Sequence, residues 1–407
     1  MRPTDRTERK PGLSRTVESG TPLRDPLWTR DFVLLVVSNL ALFISFQMLM
    51  PTLPVYVQRL GGSDAVIGLV TGVFTIASVA IRPVTGLALD RWGRRGLLLA
   101  GLALFILSVL GYDWALAVPL LLAARFIHGF GWGVSSTAYG TVATDVIPPS
   151  RLGEGMGYYG LAGTLAMAVA PALGLYIVGA RGFSALFVTS AVLAVAALVL
   201  VVNLRYQAPT RAAEPDRSWP ALFEPSAFGP GLVIFFVTMT YGTVVSFLAL
   251  HAAKLGVANI GPFFAVYASA VFVTRPFAGT LADRHGYDLV VVPGLVLLML
   301  GLAALGLGRS LPAILVAAIP YGVALGAVQP SLQALSVKGL PPARRGAANG
   351  TFYTSFDLGI AAGSVLGGVI ANRLGYGLMY LLGVIPAGTG LLVYLRVGRR
   401  GRRRQAE

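Results

Sequence analysis

Apolar residues in this chain do not alternate with polar ones but gather in long runs, and the charged residues collect in the gaps between them. The runs fall at about 32–57, 64–89, 96–112, 115–143, 154–179 and 183–204. After a polar stretch they resume at about 229–253, 258–282, 289–307, 311–336, 346–371 and 375–395. Each is near the ~20 residues that a helix needs to cross a bilayer. In lipid a spanning segment must satisfy its own backbone, which leaves the helix as the reading for apolar runs of this length. The pattern predicts an all-α membrane protein of twelve transmembrane helices.

The runs are two copies of one unit. R-P-V-T-G-L-A-L-D-R-W-G-R-R at 82–95 returns as R-P-F-A-G-T-L-A-D-R-H-G-Y-D at 275–288. Arg82/Arg275, Pro83/Pro276, Gly86/Gly279, Asp90/Asp283, Arg91/Arg284 and Gly93/Gly286 are all 193 residues apart, and so are Pro148/Pro341, Gly153/Gly346, Gly157/Gly350 and Gly174/Gly367. Six spans per copy makes the copies parallel repeats, related by an axis along the membrane normal. The expected organisation is a disordered cytoplasmic tail over 1–30, a six-helix bundle over 31–204 and a linker over 205–228. A second six-helix bundle covers 229–396, and a basic tail follows over 397–407.

Composition supports this picture. Of 407 residues, 55% are hydrophobic and 12% charged, about half the charged fraction of a soluble protein. The 50 glycines suit close helix packing in lipid. There is no cysteine, which excludes disulfides and cysteine-held metals. The formal charge of +15 raises nucleic acid as a partner, and the placement of the charges argues against it. With the N-terminus inside, 24 Lys and Arg fall on the cytoplasmic side and five on the other. That asymmetry is the positive-inside signature of a multi-pass protein with both termini cytoplasmic. The C-terminal R-R-G-R-R-R then faces anionic lipid headgroups.

The motifs resemble the major facilitator superfamily over nearly the whole chain. Its G-x-L-A-D-R-x-G-R-R signature reads here Gly86-Leu87-Ala88-Leu89-Asp90-Arg91-Trp92-Gly93-Arg94-Arg95, with the Leu-Ala order exchanged. The second copy keeps Gly279, Asp283, Arg284 and Gly286 but has Tyr287 and Asp288 where Arg94 and Arg95 stand. Arg125-Phe126-Ile127-His128-Gly129-Phe130-Gly131 resembles R-x-x-Q-G-x-G, with His128 in the Gln place. Gly157, Gly160, Gly163 and Ala170-Pro171-Ala172-Leu173-Gly174 resemble a weakened G-x-x-x-G-P-x-x-G-G motif of proton-coupled exporters. By pattern the nearest group is the twelve-helix drug:proton antiporters. The resemblance implies alternating access by two rocking bundles, a monomer in the plasma membrane, a small-molecule substrate and a proton as coupling ion. A metabolite, sugar or metallophore carrier of the same superfamily is the alternative. A membrane-embedded enzyme lacks support, since no P-loop, H-E-x-x-H or G-x-G-x-x-G after a strand occurs and no cofactor is implied. A channel differs from a carrier in showing no counterflow.

Three groups of residues are candidates for function. Gly86, Asp90, Arg91, Gly93 and Arg94, with Asp145 as partner for Arg94, form a conformational latch at the cytoplasmic turn; Gly279, Asp283 and Arg284 form its weaker counterpart. An arginine serving orientation alone would not need the aspartate and glycines at fixed spacing. Arg125 and His128 share a helix face about 15 Å deep, where a charge is a functional candidate by default. Asp357 stands at membrane depth on a face away from Gly359, Gly363 and Gly367, its repeat equivalent being Thr164. A lone carboxyl there suits a coupling proton, tuned by Arg125 or His128; a fixed hydrogen bond or an ion pair with Arg82 or Arg275 is the other reading. Arg82 and Arg275, being repeat equivalents, suggest a shared bracing role, against contact with an anionic substrate. The resemblance puts the cavity among the first, fourth, seventh and tenth helices, where Asn39, Gln47, Trp132, Tyr241 and Gln329 stand, with Tyr267 on the eighth, as substrate-binding candidates.

Overall fold

The computed structural model describes residues 25–62, 64–206, 222–257 and 260–406. Most of the expected N-terminal tail and the middle of the linker lie outside the described residues. The first half consists of α1 (Arg30–Arg59), α2 (Asp64–Trp92), α3 (Arg94–Gly111), α4 (Val118–Val146) and α5 (Leu152–Val202). The second consists of α6 (Phe228–Lys254), α7 (Gly261–His285), α8 (Asp288–Leu307), α9 (Leu311–Val337), α10 (Pro342–Leu374), α11 (Tyr376–Leu382) and α12 (Val384–Ala406).

Among the described residues, ten helices are long and apolar enough to cross a membrane. Two more crossings complete the expected twelve. Gly182, at φ 82° and ψ −179°, divides α5 into two legs. The other is α4, which Arg125, His128 and its Gly, Ser and Thr residues make less apolar than its neighbours. The last crossing is α11 and α12 together, and α12 runs through the basic segment to Ala406.

Local chemistry sets the helix ends. The Thr29 hydroxyl accepts the Phe32 amide at 3.2 Å to cap α1, and Pro stands in the first turn of α4, α7, α9 and α10, where a missing N–H costs nothing. The basic turn is tighter than the sequence suggested. Gly93 alone separates α2 from α3, at φ 90°, and Gly286 does the same between α7 and Tyr287 at φ 93°. That left-handed backbone is open to glycine at no steric cost. Arg94 is thereby carried into the protein, only 5% exposed, rather than left in a solvated loop.

Within each half the same partners meet: α1 packs on α5 and α2 on α4, as α6 packs on α10 and α7 on α9. Buried hydroxyls fasten α1 to α5, Ser45 to Ser190 at 2.8 Å and Ser38 to the Ala197 carbonyl at 2.8 Å. Gly359 and Gly363 pack directly on the backbone of Phe235 and Met239 in α6, and Gly367 packs against the Thr243 side chain. This is the close-packing stripe expected on α10, and Asp357 stands off it.

The halves meet chiefly through α2 with α10 and α5 with α7. These crossings are repeat equivalents, and glycine permits both. A Cβ at Gly86 would lie 2.6 Å from the Gly346 carbonyl oxygen, and one at Gly157 would lie 2.6 Å from the Arg275 carbonyl oxygen. Gly363→Ala should lower the thermal unfolding temperature of the purified protein, since backbone cannot give way and overpacking costs about 1–3 kcal/mol. Gly96→Ala, in a helix with nothing within 4 Å of the new methyl, should leave it unchanged or raise it. Equal shifts in scanning fluorimetry would contradict this account of the crossings.

Candidate functional site

Two carboxylates sit on two helix N-termini at the inter-half crossings. Asp90, at the end of α2, accepts from the amides of Gly346 and Ala347 near the start of α10, each at 2.8 Å. Asp283, at the end of α7, accepts from the amides of Gly153 and Glu154 in the first turn of α5, again at 2.8 Å. The Gly153 and Glu154 amides are orphan donors in the first turn of α5, and both carboxylates lie towards the positive end of a helix dipole.

The surroundings differ. Around Asp90, Arg94 donates from Nε to Asp145 at 2.8 Å and to the Leu89 carbonyl at 2.8 Å, lies 3.5 Å from Asp90, and donates to the Pro342 carbonyl of the other half. Arg345 adds bonds to the Thr144 carbonyl at 2.6 Å and to Asp145 at 3.3 Å. In the second crossing Tyr287 and Lys338 occupy the positions of Arg94 and Asp145. There the Lys338 ammonium lies 4.8 Å from the Tyr287 ring centroid, and the Tyr287 hydroxyl is 3.4 Å from Asp283. Burial, and the Asp283 carboxylate beside it, push the Tyr287 phenol up. A network of charged bonds at one crossing thus answers to a cation–π contact at the other, beside an Arg151–Glu154 ion pair at 2.7 Å. Arg91 is half-buried and Arg284 exposed at the two turns.

Between the halves lies a cavity of about 830 Å³. All six substrate-binding candidates line it: Asn39, Gln47, Trp132, Tyr241, Tyr267 and Gln329. Its floor is Arg82, Gln333 and Tyr353, with Gln333 donating to Tyr353 at 2.8 Å and Asn349 at 3.3 Å. Its far end reaches Met50, Thr71 and Gly261, at the helix ends opposite the Asp90 and Asp283 contacts. The molecule is therefore closed on the side of the basic turns and open on the other. α2, α5 and α7 each contribute more of the lining than the expected α4 and α9, and α10 as much as α9.

Asp357 is not alone. Arg82 reaches across from α2 and donates from Nε to its Oδ2 at 2.8 Å, with Ser78 Oγ at 3.5 Å. The Arg82 guanidinium also bonds Ser136 at 3.0 Å and Thr137 at 3.2 Å and lies 5.0 Å from the Tyr353 ring centroid. Of the two readings for Asp357 the ion pair is the one present, and it bridges the halves. Wheel geometry places a residue on its own helix but carries no information about an arginine 275 positions away.

Arg125 and His128 do not join Asp357. Arg125 is 1% exposed, donates from Nε to the Val70 carbonyl at 3.1 Å and lies 4.2 Å from the Phe74 ring centroid. His128 Nδ1 lies 2.6 Å from the Tyr112 hydroxyl, inside a wall of Phe46, Phe74 and Phe105. Neither is among the residues lining the cavity. Arg82 and Arg275 differ as well, despite their equivalence. Arg275 pairs with no carboxylate among the described residues, and Nη2 donates to the Gln329 amide oxygen at 2.9 Å. The sequence reading missed Arg345, Gln333, Asn349 and Tyr353. Arg345 had been read only as a loop charge, and the three polar residues meet only when α9 and α10 pack.

Comparison with known proteins bears on this arrangement. The Major Facilitator Superfamily model matches residues 35–272 and, overlapping, 231–407. The Staphylopine export protein of Staphylococcus aureus is 25% identical, covering 86% of this chain and 92% of its own. The Multi-drug resistance efflux pump PmrA homolog of Lactococcus lactis is 24% identical, covering 86% and 90%. Among solved structures, the human organic anion transporter MFSD10 (TETRAN) superposes with a TM-score of 0.78 at 19% identity, over 91% of this chain and all of that one. A bacterial homologue of the iron transporter ferroportin, in an outward-facing state, gives 0.79 at 14% identity, over 90% and 99%.

The unequal crossings predict unequal mutants. Thr144, 1% exposed behind the Asp90 contact, is a reporter site in a chain without cysteine. In a Thr144→Cys background Asp90→Asn should raise the maleimide labelling rate about tenfold, equivalent to losing about 1.4 kcal/mol of closure. Asp283→Asn should raise it less. Equal rates in the two variants would show that the Arg94–Asp145–Arg345 network adds nothing.

Proposed function

The chain belongs to the Major Facilitator Superfamily, and on that premise we propose that it is a proton-coupled exporter of small organic molecules. It is a multi-pass membrane transporter and not an enzyme. The observation that carries the finer reading is the Arg82–Asp357 pair, which ties the two halves together on the cavity floor.

The side of the basic turns is the cytoplasm in this reading, and the membrane is the plasma membrane. The excess of Lys and Arg in those connections supports the orientation. Asp90, Asp283 and the Arg94–Asp145 bridge act as the cytoplasmic latch, closed while the cavity faces out. Asp357, at the floor of the open cavity, is reached by protons from outside. Taking one, it loses its charge and with it most of the attraction of Arg82, which keeps its hydroxyl partners Ser136 and Thr137. The tie between the halves weakens, the latch opens and the proton leaves towards the less acidic cytoplasm. A substrate then enters from that side, and re-formation of the pair favours the outward state. Arg125 braces α4 against α2 in this scheme, and His128 braces it against Tyr112 beyond α3.

The names of two relatives, an export protein and an efflux pump, support the direction. The aromatic wall formed by Trp132, Phe46 and Phe43, with Gln47 and Asn39 beside it, suits an amphipathic molecule held by area and oriented by amides.

Asp357→Asn, purified into proteoliposomes, should lose transport driven by a proton gradient while keeping exchange of substrate across the membrane without one. Gradient-driven transport equal to that of the unmodified protein would rule the proton role out.

A further inference from the structure

We propose that Arg275 is an anion subsite in the cavity, and that it takes the carboxylate of an amphipathic organic monoanion. The inference deepens the exporter reading and rests on it for the cavity's being a substrate site.

The repeat makes the case. Arg82 and Arg275 occupy equivalent positions on α2 and α7, and the repeat equivalent of Asp357 on α10 is Thr164 on α5, which lines the cavity. At the first crossing the protein supplies both charges. At the second it supplies the cation, and the Thr164 hydroxyl turns back to the Gly160 carbonyl at 3.5 Å. The Nε that donates to Asp357 in Arg82 has no hydrogen-bond partner in Arg275. Arg275 is 7% exposed, so its charge is largely withdrawn from water, and among the described residues it donates to the neutral Gln329 amide and pairs with no carboxylate.

The site is also built to hold the guanidinium still. Gly160 on α5 lies so close to Arg275 Nη1 that a Cβ there would collide with it, and Thr164 lines the cavity one turn further on. Gln329 fixes Nη2, which leaves the Nε edge as the unused donor. Of the cavity-lining residues three are charged, Arg82, Asp357 and Arg275, and with the first two paired the cavity carries one positive charge in excess. A carboxylate matches the planar fork of an arginine, and a buried cation gains most from a partner that is itself shielded from water. Tyr241, Tyr267 and Phe264 line the same side and offer apolar surface to the body of such a ligand.

The test uses three probes with one body: 4-phenylbutyrate, 4-phenylbutanamide and 4-phenylbutylamine. Binding to the detergent-purified full chain is read by quenching of Trp132, which lines the cavity, with Trp132→Phe giving the background. The unmodified protein should bind the anion at least tenfold more tightly than the amide or the amine. Arg275→Gln should remove that preference, and amide binding that remains measurable shows the variant folded. Thr164→Asp should remove it too, by supplying the carboxylate that the first crossing already has. Failure of the anion to bind the unmodified protein, equal affinity for anion and amide, or a preference surviving both substitutions would overturn the proposal. The binding assay is independent of any gradient. A lost anion preference therefore leaves proton coupling standing, and failed gradient-driven transport with the preference intact strikes the exporter reading alone.

Discussion

Arg82 Nε lies 2.8 Å from Asp357 Oδ2 between two helices that belong to different halves of the molecule. Arg82 is 3% exposed, and the pair is flanked by Ser78, Ser136, Thr137 and Tyr353, which leaves few of its donors unmet. Taking one partner away from a buried pair costs about 3–5 kcal/mol, because the charge left behind has no water to turn to. In the proposed cycle a proton on Asp357 does the same reversibly. The energy at stake is comparable with what moves a two-state equilibrium from one side to the other.

Everything around the pair lets that energy act on the relation between halves rather than on the fold of either. The bundles are held internally by interlocked glycines and buried hydroxyls, as in the Gly359 and Gly363 contacts with α6. Between them, contact concentrates on one side, where Asp90 and Asp283 sit on helix N-termini and Gly86 and Gly157 let backbones touch. Such interlocked contacts engage or separate as a unit rather than deform continuously. A small electrostatic change at Asp357 can therefore be expressed as the opening or closing of a whole face.

The fold was legible because lipid removes alternatives. Runs of about twenty apolar residues become helices, and the 193-residue offset between Arg82 and Arg275 or Gly86 and Gly279 declares two halves. The residues of the Asp90 and Asp283 contacts were legible for a similar reason, as aspartate and glycine at fixed spacing announce a cap and a close approach. Asp145 as partner to Arg94 followed from both lying at one end of adjacent helices, and they stand 2.8 Å apart. What sequence hid is pairing across the halves. Asp357 looked isolated because its partner lies on α2, and Arg125 and His128 looked available because nothing in their own helix reveals Val70, Tyr112 and the phenylalanines that enclose them. Repeat symmetry misled at one point as well. It suggested one role for Arg82 and Arg275, whereas the substitution of Thr164 for an aspartate separates them.

The central claim is that the charge state of Asp357 sets which side of the molecule is open. A chain without cysteine allows it to be read directly, with spin labels at Trp92→Cys and His285→Cys, both exposed at the ends of α2 and α7. Distances between the labels are measured across a pH series in lipid nanodiscs. Arg82 on α2 and Tyr353 on α10 are the groups nearest the carboxyl, and the Asp357→Asn series separates its contribution from that of Asp90 and Asp283 at the inter-half contacts. The account predicts a short distance at neutral pH, a growing long-distance population on acidification, and a long-distance population at every pH in Asp357→Asn. A pH response that survives Asp357→Asn, or a distance that does not change with pH in the unmodified protein, would contradict it.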